Sequence, residues 1–268
     1  SFTTDKGTKV NINPNCLRKQ SGEAATGNVD LKFIEIYDRG NMVAANKPLM
    51  GRNAEGKLEP LVTAGQFFIE AKQGSETLNA SCGFDVVVPA SLTGGPDNDM
   101  ILWEGSIDDV GNLTWDEITP RTDQGGFLEV GKAEGENGTY SAYWAFVGQF
   151  GWTNLDRFYH QQGEKTVLKA NVPESYKGDN TGVYLSFEGE PNMMTQIYYN
   201  NLSKLFESGM QVPVGKNVHV IVVSESEGKF AYAIKTVNIK ANEVVTFADG
   251  DLASIDKDAL TEKINALK

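Results

Sequence analysis

The sequence predicts a mostly β protein: two antiparallel β-sandwich domains, Ig-like or related, followed by a C-terminal amphipathic helix. Three observations carry this expectation. Apolar residues alternate with polar ones at period two in many short runs, which puts every second side chain on one face of a strand. The runs are separated by pieces rich in Gly, Asn, Pro and Ser, such as "KGDNTG", "EGEPN", "PVGKN" and "SESEG", which suit chain reversals. The last twenty residues alone switch to helical spacing.

In the first half, Val10 and Ile12 make the first alternating pair, and Val29, Leu31 and Phe33 alternate with Asp30 and Lys32. Phe67, Ile69 and Ala71 form one face of a strand whose other face carries Phe68 and Glu70. Phe84, Val86 and Val88 form another face, which stops at Pro89 because proline has no amide hydrogen for the ladder. Met100 to Trp103 is a further short strand. The segment Asp97 to Glu117 reads as a hairpin with "DDVGN" at its tip and two strands that bury Trp103 and Trp115.

The stretch 121–138 is rich in glycine and charge and poor in apolar periodicity, so it reads as a linker between domains 1–120 and 139–268. A long hairpin loop is the other reading. The second half offers strands at Tyr140 to Phe150, Thr166 to Val172, Val183 to Phe187, Thr195 to Tyr199, Val218 to Val223 and Phe230 to Ile239. In the tail, Leu252, Ile255, Ala259, Leu260, Ile264 and Leu267 recur at helical spacing, with Asp249 or Asp251 as the expected cap. So short a helix is marginal alone in water and is expected to dock.

The chain has 268 residues, 24 Lys and Arg against 36 Asp and Glu, and a formal net charge of −12. A surface this acidic repels phosphate backbones and anionic headgroups, so a nucleic-acid partner is not expected. The longest aliphatic run, Val218 to Val223, is far shorter than the ~20 apolar residues of a membrane helix, and no transmembrane segment is expected. Ser1 opens on polar, β-like sequence, so the chain reads as a mature product whose export is inferred and whose lipid anchor would lie upstream. Two cysteines, Cys16 and Cys82, permit one disulfide in an oxidising compartment. Two unpaired, part-buried thiols are the preferred reading.

"GWTNLDRFYH", Gly151 to His160, packs an aromatic, an amide, a carboxylate, a guanidinium and one of two histidines into ten residues. Catalysis would need His160 beside a nucleophile and an orienting carboxylate. On a strand, Asp156 and His160 stand well over ~10 Å apart. The structural reading is preferred: Gly151 makes a turn, Trp152 and Phe158 anchor in a core, Asn154 and Asp156 bond backbone amides of the turn, and Arg157 pairs with an acid. His219, on an apolar strand face, reads as a satisfied residue.

Binding sites on sandwiches sit on end loops, here Gly94 to Asp99, Ile107 to Asn112 and Tyr176 to Thr181. The candidate ligand-binding residues are Asp97, Asp99, Asp108, Asp109, Asn112, Tyr176 and Asp179. Asp108 and Asp109 supply the hard oxygens that calcium takes, although the spacing is not that of an EF-hand. Calcium is the one cofactor considered. Tyrosines and tryptophans, Tyr140 and Trp144 among them, are numerous enough to form a stacking platform for sugar rings, against the alternative of ordinary cross-strand packing.

"FTTDKGTKVNINPNCL", "GNVDLKFIEIYDRGNMV", "PLVTAGQFFIEA", "DVVVPASLTGGPDNDM" and "LTWDE" resemble uncharacterised exported, lipoprotein-type β-sandwich proteins of Bacteroidetes. "GWTNLDRF" and "QVPVGKNVHVIVVS" are similar to later pieces of the same group. The order "G-T-x-V-x-I", "G-x-V-x-L", "L-V-T-A-G-x-F" is similar to the β-sandwich module of ankyrins and netrin receptors. The resemblance implies a periplasmic or cell-surface location and an interaction or structural role, and lends no catalytic residue. The function expected is non-catalytic binding or adhesion at the cell envelope, to a glycan or a protein partner. The rival is a glycosidase-like hydrolase using carboxylates such as Asp108, Asp116 and Glu188. A purely structural envelope component is the third reading.

Overall fold

The computed structural model describes residues 1–109, 111–118, 126–135, 138–209, 212–226 and 229–268. Among these the chain is mostly strand, with two short α-helices, and no helix is long and apolar enough to cross a membrane. The fold divides into two compact units, each gathered from three stretches of chain. The first unit gathers Ser1–Tyr37, Thr63–Ser106 and Trp115–Arg157; the second gathers Asp38–Val62, Ile107–Thr114 and Phe158–Lys268. Within the stretch read as a linker, Phe127–Gly135 is a strand paired antiparallel with Gly138–Val147, from Phe127 opposite Phe146 to Gly135 opposite Gly138. Residues 121–125 and 136–137 of that stretch lie outside the described residues. The missing apolar alternation has a physical reason: this strand lies at one end of its sheet, so its polar positions face water.

The first unit contains a five-stranded antiparallel sheet in the order Phe2–Thr3, Lys9–Ile12, Phe84–Pro89, Gly138–Val147, Phe127–Gly135. One face is apolar and buried: Val10, Val86, Val88, Tyr143 and Ala145 are all at most 3% exposed. A second set of strands pairs Asp30–Ile36 with the later part of Leu58–Gln73, and Ile101–Ile107 with Gly151–Phe158. Here Phe67, Ile69 and Ala71 form the buried face expected from alternation. Gly65 interrupts this strand at φ +138, and a Cβ there would sit 2.7 Å from the Tyr37 ring, so only glycine fits.

Cys16 and Cys82 are joined in a disulfide, which corrects the expectation of free thiols. The sequence separation of 66 residues hid their proximity. Beside them, Leu17 pairs with Ala80 across a two-residue ladder, and Leu17, Ala71 and Leu78 form a small core.

The second unit is built on an eight-stranded sheet in the order Val244–Thr246, Lys169–Asn171, Leu205–Glu207, Thr195–Asn200, Thr181–Phe187, Asn217–Ser226, Lys229–Asn238, Ala253–Ile255. All ladders are antiparallel except Lys169–Asn171 beside Val244–Thr246. Val218 to Val223 is central and buried on both faces, which explains its continuous apolar run. His219 is held by Thr236 Oγ1 at 2.7 Å and by the Lys268 main-chain oxygen at 3.1 Å.

The C-terminal helix is shorter than expected. Ala253–Ile255 pairs as a strand with Phe230–Tyr232, so the helix spans only Lys257–Asn265. Its cap is Asp256, whose carboxylate accepts the Ala259 amide at 2.9 Å, and not Asp249 or Asp251, which lie in a 3-10 turn. Leu260 and Ile264 are fully buried. The helix docks on Arg39–Ala44: the Gly40 amide donates to Asn265 Oδ1 at 2.7 Å and Asn265 Nδ2 donates to Asp38 Oδ1 at 2.8 Å.

Two outcomes follow for stability. Reducing the disulfide, or replacing both cysteines by serine, is expected to lower the unfolding free energy by about 2–4 kcal/mol, given the long loop it closes; urea titration with and without reductant measures this. Gly40→Ala would drive a methyl into the Thr261 carbonyl and is expected to cost about 1–3 kcal/mol, read as a lowered midpoint in the same titration.

Candidate functional site

Gly151–Phe158 is a strand throughout, and its polar residues Thr153, Asn154 and Asp156 are buried. Thr63, Asn154 and Asp156 are all inaccessible to water. The Gly65 amide donates to Thr63 Oγ1 at 2.8 Å, Thr63 Oγ1 donates to Asn154 Oδ1 at 2.8 Å, and Asn154 Nδ2 donates to Asp156 Oδ2 at 2.5 Å. Asn154 and Asp156 therefore bond side chains within the core, which corrects their expected role on turn amides. Period two explains the geometry: residues 154 and 156 share a strand face. Trp103 Nε1 donates to the Asp156 carbonyl at 2.9 Å, which ties a third strand to the group. Burial raises the Asp156 carboxyl well above the ordinary carboxylate range, opposed by the hydrogen bond from Asn154. The chain is a positioning device. Asp156 is fully buried and His160 is exposed, so neither geometry nor access makes them a reacting pair.

The strand leaves the core at both ends. Trp152 is half-buried against Phe68, at 5.3 Å between centroids, and Trp115, at 6.3 Å. Arg157 Nε meets Asp97 Oδ2 at 2.6 Å, the acid pairing expected for Arg157.

Ahead of Gly151 the chain turns through Gly148, Gln149 and Phe150, and this turn forms one wall of a cleft of about 810 Å³ in the first unit. That volume lies in the range of small-ligand sites. Phe68 and Phe150 line it from within, and Phe127 and Phe146 at its margin, their rings 5.7 Å apart and 14° from parallel. The opposite wall is Thr77 to Gly83, with Asn79 and Ser81 supplying an amide and a hydroxyl and Cys82 the disulfide. Gln149 Nε2 donates to Glu104 Oε1 at the rim. Glu70, paired with Lys72 at 3.0 Å, is the one Asp or Glu among the described lining residues.

A second, smaller cleft of about 430 Å³ lies in the second unit, beside Tyr159, Phe187 and Lys57. Tyr159 packs on Phe187 at 5.3 Å, and burial with the nearby Glu190 charge pushes its phenol up to about 12.

The loop residues singled out from the sequence line neither cleft. Asp97 is engaged by Arg157, its amide donates to Tyr143 Oη at 2.8 Å, and its Oδ1 accepts the Asp99 amide at 3.0 Å. Asp99 is exposed. Asp108 accepts the Asn112 amide at 2.8 Å and its side-chain Nδ2 at 3.0 Å, closing the expected hairpin tip. Asp109 is exposed beside it; Tyr176 is half-buried, its amide donating to Pro173 O at 2.9 Å; Asp179 is exposed. Of the carboxylates proposed for hydrolysis, Glu188 accepts from Asn217 Nδ2 at 2.8 Å. No group of three or more His, Cys, Asp or Glu among the described residues is gathered as a metal site. The cleft residues were missed because they come from four separate pieces of sequence, within 68–70, 77–83, 127 and 146–151, with no shared motif. The available signal was the phenylalanine and glycine density of "FVGQFG". No protein-family model matches the chain, and no curated protein matches it.

The buried carboxyl gives a pH test. Its folded-state pKa is raised, so its contribution to stability is complete below the ordinary carboxylate range and is lost as pH rises through the folded value. Stability is expected to fall with rising pH over that window, and Asp156→Asn is expected to flatten the slope and to gain on the wild type toward alkaline pH. Urea midpoints from pH 4 to 9 measure both.

Proposed function

We propose that the chain is a non-catalytic binding module of the bacterial cell envelope and that its first unit recognises a glycan in the aromatic cleft. The observation that carries the reading is the cleft's lining. Phe68, Phe127, Phe146 and Phe150 supply apolar ring area for the C–H sides of sugar rings, and Asn79, Ser81, Thr77 and Gln149 supply amide and hydroxyl partners for sugar hydroxyls. Hydrolysis by paired carboxylates needs two carboxyl groups facing across the scissile bond, and the cleft lining contributes Glu70 alone among the described residues. We further propose that the sheets of each unit pack as β-sandwiches, in keeping with the apolar buried face of Val10, Val86, Val88, Tyr143 and Ala145 on the five-stranded sheet. Export to the periplasm or surface fits the disulfide, and it fits the resemblance to lipoprotein-type proteins of Bacteroidetes.

A glycan array with the labelled protein, followed by NMR titration of the best hit, tests the reading. Amide signals of Thr77 to Gly83 and Gly148 to Gly151 are expected to shift. Hits that shift only other signals, or an array without hits, would retire it.

A further inference from the structure

The cleft opens beside the outer face of the five-stranded sheet. Its margin residues Phe127 and Phe146 are opposite one another in that sheet, and Trp144 and Tyr140 lie two and six residues before Phe146 on the same strand face. Register puts small residues around them: Val87 is opposite Trp144, and Gly131 and Ala133 lie opposite Ala142 and Tyr140. Val87, Ala133 and Ala142 are buried, with Tyr140 packed against them. An added Cβ on Gly131 would come within 3.3 Å of the Trp144 ring, so the indole leans across the sheet at this position. Trp144 is nevertheless 40% exposed and Phe127 48% exposed. Exposed aromatics on a small-residue floor, continuous with a polar-rimmed cleft, form a surface that extends beyond a single sugar ring.

The charges around this surface select among glycans. Glu129 lies opposite Trp144 in the register, Asp85 lies opposite Phe146, and Glu104 holds Gln149 at the cleft rim. Glu70 in the cleft is paired with Lys72, and Lys32 lies over the Phe68 ring with its Nζ 5.5 Å from the centroid, so the carboxylate excess belongs to the strip and not to the cleft. The basic group at the far end, Lys9, is engaged: its Nζ lies 5.9 Å from the Tyr140 ring centroid and donates to the Glu134 carbonyl. A uronate or sulfate laid along the strip would meet carboxylates at the Trp144 and Phe146 positions.

We propose, building on the glycan-binding reading above, that the occupant is an uncharged linear polysaccharide. Its chain runs from the cleft over the Phe127–Phe146 pair and onto Trp144. The cleft fixes one sugar by hydrogen bonds, and the strip adds stacking contacts to its neighbours along the chain. Trp144 is then a specificity and affinity residue for long chains, with little effect on a single sugar.

The test is affinity electrophoresis and calorimetry with the whole chain. The probes are neutral polymers (mixed-linkage β-glucan, xylan, galactomannan), the polyanions polygalacturonate and chondroitin sulfate, and the polycation chitosan. At least one neutral polymer is expected to retard the protein and neither polyanion to do so. Trp144→Ala is expected to weaken the neutral polymer by about three- to tenfold, the loss of one stacking contact, with a smaller effect on its trisaccharide. Near-UV circular dichroism checks the fold of each variant, and the surface position of Trp144 favours an intact one. Equal or tighter binding of a polyanion or of chitosan overturns the proposal. So does a Trp144→Ala protein that binds the polymer as the wild type does. If Gln149→Ala still weakens binding in that case, the cleft remains the glycan site and only its extension is lost. If neither variant matters, or no probe binds, both readings fall.

Discussion

The hydrogen-bond chain from Gly65 through Thr63 and Asn154 to Asp156 holds the first unit's second set of strands in register. Each link runs one way, and each member is sealed from water. Leaving any one unpaired in the core would cost about 1–3 kcal/mol, so the members tolerate little sliding of one strand against another. A one-residue slip would move Asn154 and Asp156 to the opposite face and leave Thr63 without its acceptor. The Gly148 to Gly151 turn hangs from the end of this fixed strand. The wall of the cleft is therefore set by the core beneath it.

The same arrangement sorts the aromatic residues into two classes. Trp103, Trp115 and Tyr143 are enclosed, with the Trp103 indole and the Tyr143 hydroxyl each finding a backbone partner. Phe127 and Trp144 lie on the outer face of a sheet whose inner face is already filled. Ordinary cross-strand packing accounts for the first class. It accounts for Phe127, which stacks on Phe146 across the strands, but less well for Trp144, whose indole lies beside Gly131 and leaves apolar area in water.

Much of the fold was legible because strand period is a local property. The Phe67–Ile69–Ala71 face, the Phe84–Val86–Val88 face and the tip between Trp103 and Trp115 could all be read from neighbouring residues. The disulfide was not, since no local pattern brings Cys16 to Cys82. The helix start was misplaced by a turn and more because Leu252 and Ile255 satisfy helical spacing while Ala253–Ile255 gains a strand partner. Tertiary hydrogen bonding outweighed the pattern there. The polar residues after Trp152 were assigned to a turn because buried amides and acids are rare, and sequence offers no view of the threonine that makes their burial affordable. The charged loops stand out in the sequence because each is one continuous stretch, whereas the aromatic cleft draws its walls from strands and tight turns far apart in the chain.

The division of each unit into three stretches of chain bears on how the molecule is made. A ribosome or an export channel delivers the polypeptide from its N-terminus, and the first unit still lacks the strand ending at Phe158 when more than half the chain has emerged. The second unit begins at Asp38 and waits for everything after Arg157. Neither can close before the residues after Gly151 arrive, so the nascent protein carries unpaired strand edges until then. Holdase chaperones would be needed most during that interval.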